Sequence, residues 1–428
     1  METDKTAYIY ILLVSACIIL VHSSMLDFLD YDVFYHLLVA GELIKQKTLF
    51  LLHDPWFNHP SGLIHYYPPL FHWILALSSL IAGLEKGALF LKLMFYPLAL
   101  LSIYHLVSHV EGRETAFLSV ILLSITPLFY TRVHLAIPES LQHVLIPLIF
   151  LFYLRGNAKL SGLITSLTLA NHLYDSLLVF FAVSAHCLLY RKKTFNITNY
   201  FLFSLPGMVI QLYGVYAHSI TYWAIYNISL LQRLSLMTVV LLGVVIPMVF
   251  LFWFIRRGLL DKTNSIFLVW FLFTLPILPG LPLRFPPYTL VPLMVLSSIL
   301  FMDLRKEVDF RLLYMPLIVF LLITQVFLSP LSFSIIAGFQ GPCIDADERK
   351  ALTWLRDNLP PGEPILLTEI QNPLQGFMKS VPYFTGHPVT GLLNQSRYLY
   401  TLSEIKDDNW SLAVEYGIYR IYHRNQYI

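Results

Sequence analysis

The chain has 428 residues, of which 57% are hydrophobic and only 13% charged, and its 28 Lys and Arg nearly balance its 26 Asp and Glu. Soluble proteins carry about 25% charged residues. This composition leaves too little polar surface to face water on every side, and it excludes a disordered chain, a disulfide-rich secreted module and a nucleic-acid binder. Cys17, Cys187 and Cys343 make no framework and have no zinc-site spacing.

The first apolar run covers 7–21. No small-x-small cleavage site follows it, so it is expected to stay as a first membrane span rather than leave as a signal peptide. Further runs lie at 88–107, 115–130, 141–154, 160–171, 176–190, 200–218, 235–255, 265–281, 287–302 and 312–328. With roughly 20 residues needed to cross a bilayer core, the expected class is mainly α: a polytopic α-helical membrane protein of about eleven spans. The expected domains are 1–331, the membrane region with a long first loop at about 22–87, and 332–428, a small extracytoplasmic α/β domain.

Lys and Arg orient this threading. With the N-terminus cytoplasmic, the inner segments, among them Arg191-Lys192-Lys193 and Arg256-Arg257, hold about twice as many basic residues as the outer loops. The first loop and the tail then fall outside. Counting 70–84 as a span would invert the basic loops, so it is expected to be a helix at the outer interface. It starts after Tyr67-Pro68-Pro69, and prolines suit a helix start. In the tail, 346–358 has helical spacing, Pro360-Pro361-Gly362 stops it, and 364–368 reads as a buried strand. Segments 398–406 and 410–416 are expected to be helical, and 418–423 a final strand.

Ionisable groups near a bilayer are costly and are functional candidates. They gather on the outer side here. The first loop opens with Asp27, Asp30 and Asp32, then His36, and continues through Trp56, Tyr66 and Tyr67. Asp30 and Asp32 read either as the polar end of a span or, interleaved with aromatics, as functional acids. Glu139 follows Pro138 at a span start, so it is either an acid favoured by the helix dipole or a functional one. His172 and Asp175 fit a self-bonded interfacial turn. Arg132 and Arg284 are rare outer cations, and Arg284 is fixed among prolines beside Tyr288.

In this order these residues resemble the GT-C superfamily of membrane glycosyltransferases, in particular the catalytic subunits of archaeal oligosaccharyltransferases. Asp32-Val33-Phe34-Tyr35-His36 is similar to the family's first-loop pattern, Tyr67-Pro68-Pro69-Leu70 to its turn into an interfacial helix, and Tyr130, Arg132 and Glu139 to its second outer loop. Leu38 stands where the family has an Arg. Glu139 is single where the oligosaccharyltransferases have two acids. The tail lacks their acceptor-recognising Trp-Trp-Asp-x-Gly motif, with Trp354 and Trp410 standing alone.

The resemblance implies transfer of a sugar from a polyprenyl (dolichyl) phosphate carrier to a glycan, lipid or protein acceptor on the extracytoplasmic side. The candidate catalytic residues are Asp32, Asp30 and Glu139. The candidate substrate-binding residues are His36, Tyr67, Arg132, His172, Asp175, Arg284 and Tyr288. A carboxylate would activate the acceptor, and guanidinium groups match phosphate oxygens. Asp32 and Glu139 suit a hard cation such as Mg²⁺ or Mn²⁺, and a metal-independent reaction suits the few acids equally well. The competing class is a transporter or other non-catalytic membrane protein with a decayed site. Polar groups at one face and no half-repeat weigh against transport.

Overall fold

The computed structural model describes residues 2–23, 31–57, 60–124, 132–133, 135–172, 175–190, 194–222, 265–274, 286–306, 346–367, 376–390, 398–401, 410–416 and 419–424, with single positions 126, 129 and 405. The protein is mainly helical and has a small sheet in its tail. It divides into two compact units, one of residues 1–24, 90–212 and 227–336, the other of residues 25–89, 213–226 and 337–428.

In the first unit the apolar runs form helices: α1 (Glu2–Ser23), most of α4 (Leu84–Glu111), α5 (Arg113–Ser124), α6 (Pro138–Leu154), α7 (Ala158–Leu169), α8 (Asp175–Tyr190), most of α9 (Ile197–Tyr222), α10 (Ser265–Thr274) and α11 (Pro286–Leu304). Among the described residues, Leu84–Glu111 and Ile197–Ala217 are long and apolar enough to cross a membrane. The expected runs at 235–255 and 312–328 lie outside the described residues. Helix α6 packs on α7, α7 and α10 on α8, and α11 on both α5 and α10. Helices α7 and α9 meet at small residues. The Gly207 N–H donates to Ser166 Oγ at 2.7 Å, and Ser204 Oγ–H donates to the Gly162 carbonyl at 3.3 Å. A Cβ on Gly162 would stand 2.6 Å from the Tyr200 carbonyl. Such close backbone approach is how helices associate where no water drives them together.

The second unit joins the first loop to the tail. It begins with α2 (Tyr31–Gln46), a short antiparallel pair β1 (His53–Asp54) and β2 (Leu63–Ile64), and α3 (Leu70–Ala82). The tail adds α12 (Ala346–Asn358), β3 (Ile365–Leu367), α13 (Gly376–Thr385), β4 (Val389–Thr390), β5 (Tyr398–Thr401), β6 (Trp410–Tyr416) and β7 (Tyr419–Arg424). The five strands lie in the order β4-β3-β5-β7-β6, with β3 parallel to β4 and β5 and the rest antiparallel. Leu366, Leu399, Trp410 and Tyr422 form the core of this sheet. Helix α2 packs on α3 and α13, with Phe34 against Tyr383 and Phe384 at ring distances of 5.2 and 5.1 Å. The Val389 N–H at the β4 edge donates to the Trp56 carbonyl at 2.9 Å.

Two expectations are corrected. Segments 398–406 and 410–416, expected to be helical, contain strands β5 and β6. Their Leu and Ala spacing fits a helix, but β7 offers both a partner, in the registers Tyr398↔His423 and Trp410↔Arg424. Tertiary pairing and the aromatic content override the local preference. The bulge between Leu412 and Val414 breaks the period-two alternation that would have revealed a strand. Helices α2 and α13 were not expected at all.

Candidate active site

The acid-aromatic motif of the first loop lies on a helix. Asp32 sits in the first turn of α2, where the helix dipole favours a carboxylate. It is half-buried. Tyr35 and His36 follow at i+3 and i+4, on the same face, and both are buried.

Beneath this turn lies a buried polar network. Tyr35 Oη donates to Asp54 Oδ2 at 2.7 Å, and His65 Nδ1 donates to Asp54 Oδ1 at 2.8 Å. Burial, reinforced by the Asp54 charge, holds the Tyr35 phenol well above its ordinary range, so it stays a donor. One proton joins His36 Nδ1 and His72 Nε2 at 2.9 Å. Tyr67 stands edge-on to His36 at 5.2 Å. Burial first, then the neighbouring His36 and His65, pushes His72 well below the usual histidine range, so it is neutral. Asp54, His65 and His72 had no assigned role in the sequence. Only the β1–β2 pairing, with Asp54 opposite Leu63, carries Asp54 to within reach of His65.

The second cluster gathers where α6 begins and α7 turns into α8. Pro138 opens α6, and Glu139 lies in its first turn. Glu139 Oε1 is 3.5 Å from His172 Nε2, and both side chains are nearly buried. Asn171 Nδ2 donates to the Pro138 carbonyl at 2.7 Å. Gln142 Nε2, one turn on from Glu139, donates to the Thr168 carbonyl at 3.1 Å and to Ser176 Oγ at 2.7 Å. His143 stacks on Tyr288 at 4.4 Å, and the charges of Glu139 and Arg132 both reach it. Arg132 is tied in through its backbone, whose carbonyl accepts from Ser140 Oγ at 2.9 Å, while its buried Nη1 has no partner among the described residues.

Of the candidates from the sequence, Arg132, Glu139, His172 and Tyr288 thus come together in one unit, and Asp175 begins the adjoining helix α8. Asp32, His36 and Tyr67 lie in the other, with His36 against Tyr67. Asp30 and Arg284 lie outside the described residues. Gln142, Asn171 and His143 are additions that sequence reasoning missed. Inside apolar runs they look like isolated polar residues, and only the spacing of Gln142 and His143 from Glu139, three and four residues, hinted at a shared face.

The family described as dolichyl-phosphate-mannose-protein mannosyltransferase matches residues 66–170. No curated protein matches the chain. Among solved structures, ArnT from Cupriavidus metallidurans bound to undecaprenyl phosphate superposes with a TM-score of 0.60 at 11% identity, over 95% of this chain and 97% of that one. The Archaeoglobus fulgidus oligosaccharyltransferase in complex with Zn and sulfate superposes with a TM-score of 0.56 at 14% identity, over 87% of this chain. The archaeal oligosaccharyltransferase AglB from the same organism, in complex with an inhibitory peptide and a dolichol-phosphate, gives a TM-score of 0.55 at 12% identity. The protein has a GT-C fold.

The chain spans 64% of the length of the oligosaccharyltransferase holding Zn and sulfate, against nearly all of ArnT. The GT-C fold raises the question of a metal. Among the described residues no three His, Cys, Asp or Glu side chains converge as ligands. Glu139 has His172 beside it. Asp32 belongs to the other unit. Among the described residues, neither unit by itself brings together three such side chains.

Proposed function

We propose that this protein is an integral-membrane glycosyltransferase that moves a sugar from a polyprenyl phosphate carrier to an acceptor on the extracytoplasmic side. The observation that carries this reading is the GT-C fold shared with ArnT bound to undecaprenyl phosphate, over 97% of that protein. An acid at the head of α2 and an open guanidinium in the second cluster support it. In this reading the N-terminus is cytoplasmic, and the first loop and the tail are outside.

The carboxylate of Asp32 takes the proton of the acceptor hydroxyl as that oxygen attacks the anomeric carbon. The bond from that carbon to the phosphate oxygen breaks, and the electron pair leaves on the lipid phosphate. Arg132 and Arg284 hold the phosphate and offset its growing charge. Arg132 is suited to this because its Nη1 is a donor with no protein partner among the described residues. Glu139, braced by His172, and the His143–Tyr288 stack position the sugar.

The test is Asp32→Asn, which removes the charge and almost no volume. Membranes carrying a polyprenyl-phosphate sugar should lose about 10²–10⁴-fold in transfer, with insertion and melting temperature unchanged. Asp30→Asn should cost less. Normal turnover in Asp32→Asn with Asp30→Asn inactive would move the role to Asp30. Normal turnover in both would remove the first loop from the chemistry.

A further inference from the structure

Helix α3 turns its apolar side the wrong way for a water-facing helix. Phe71, His72, Leu75 and Ser79 face inward. Trp73, Leu77, Leu80 and Ile81 recur at i, i+4, i+7 and i+8, which is one face of a helix. On that face Leu77, Leu80 and Ile81 are 64%, 67% and 85% exposed. The segment after α2 adds to it. Leu49, Phe50 and Leu52 are 67%, 52% and 67% exposed. Trp73 joins the two: its Nε1–H donates to the Leu49 carbonyl at 2.6 Å, and the Phe50 ring sits edge-on to its indole at 5.6 Å.

The backbone is committed to presenting this segment. Lys47 ends α2 in the left-handed region, φ 53°, a conformation that favours glycine. The Thr48 N–H closes back on the Leu43 carbonyl at 3.2 Å. After this helix stop Leu49, Phe50 and Leu52 turn outward while Leu51 is buried, and Lys45 and Lys47 are exposed beside them.

We infer that Leu49, Phe50 and Leu52 form a wedge that enters the outer leaflet of the bilayer together with the exposed face of α3, with Lys45 and Lys47 at the level of the lipid phosphates. Lipid is the occupant because the chain continues from α3 through Gly83 into α4, which begins at Leu84 and is long and apolar enough to cross a membrane. The two helices are flush at that joint: a Cβ on Gly87 would come 2.8 Å from the Ser79 backbone nitrogen. The patch therefore lies where the chain enters the membrane. An apolar body edged by lysines and an indole is the composition that settles at such a boundary.

The inference rests on the membrane reading of the chain and not on glycosyl transfer. The test uses the full chain with Cys17, Cys187 and Cys343 replaced by Ser, in nanodiscs of phosphatidylcholine and phosphatidylglycerol. Single spin labels go to L49C, F50C and I81C, with S61C on the exposed hairpin and L98C within α4 as references. The expected result is relaxation by oxygen over a water-soluble nickel complex at 49, 50 and 81, about 5–10 Å deep, with the reverse at 61. Nickel access at 49 and 50 with position 98 in lipid would overturn the wedge and keep the membrane reading. Nickel access at 98 as well would overturn both. Labels shielded from both reagents at 49 and 50 would mean a protein covers the patch, which also overturns the wedge.

Discussion

The two buried polar clusters are built on opposite plans. Beneath α2, Asp54 receives both the Tyr35 hydroxyl and the His65 ring proton, and His36 and His72 pair with each other. The exception is His72 Nδ1, with no partner of good geometry and only the Pro68 backbone beside it. At the head of α6, Asn171 and Gln142 direct their amide N–H groups to backbone carbonyls. A carbonyl only accepts, so both amides are fixed in orientation. Their oxygens are left without a donor among the described residues, as are Arg132 Nη1 and His143 Nε2. Buried polar groups seldom stay unpaired, and those that do call for a further partner such as water or a ligand. The first cluster pairs nearly all of its groups internally, and the second leaves several polar atoms without a partner among the described residues.

The largest expected effect breaks the first cluster. Asp54→Ala strands two buried donors and should cost the protein about 3 kcal/mol of stability. Thermal unfolding of the full chain in detergent reads it. A melting temperature within error of the parent would show that the network does not hold α2.

Acid should strain the same cluster next. His72 is neutral in the folded protein at a pH where the unfolded chain takes up a proton, because its folded pKa lies well below 6.5. Stability is therefore complete above about pH 6.5 and falls as the pH drops below it, by at most about 1.4 kcal/mol per pH unit for this one site. His72→Gln should flatten the dependence of the melting temperature on pH between 6.5 and 5. An unchanged slope would locate the acid sensitivity elsewhere.

The smallest expected stability change sharpens the contrast. Gln142→Met keeps the chain length and removes the amide, costing about 1 kcal/mol as its hydrogen bonds to Thr168 and Ser176 are lost. Its effect should appear more strongly in transfer kinetics, as a raised KM for the lipid-linked sugar. A change in melting temperature as large as that of Asp54→Ala, with KM untouched, would make the second cluster as structural as the first.

Composition and charge placement alone pointed to a helical membrane protein and to an outer face rich in acids and aromatics. The apolar runs fixed where most helices lie, because a helix in lipid must be apolar along its whole length, and Pro68-Pro69 and Pro360-Pro361-Gly362 marked boundaries that α3 and α12 respect. Asp32 and Glu139 were legible because charges are rare in such a chain. Tertiary structure alone decided the rest. That α2 is a helix, and that β5 and β6 are strands, depends on α3, α13 and β7 as partners far along the chain. Asp54 meets His65 through a two-residue ladder too short to leave a pattern. Gln142 and Asn171 acquire meaning only when the turn between α7 and α8 comes to rest on the first turn of α6. Hydrophobic length is a local property and is written in the sequence. The partner of a buried polar group is not local, and only the fold supplies it.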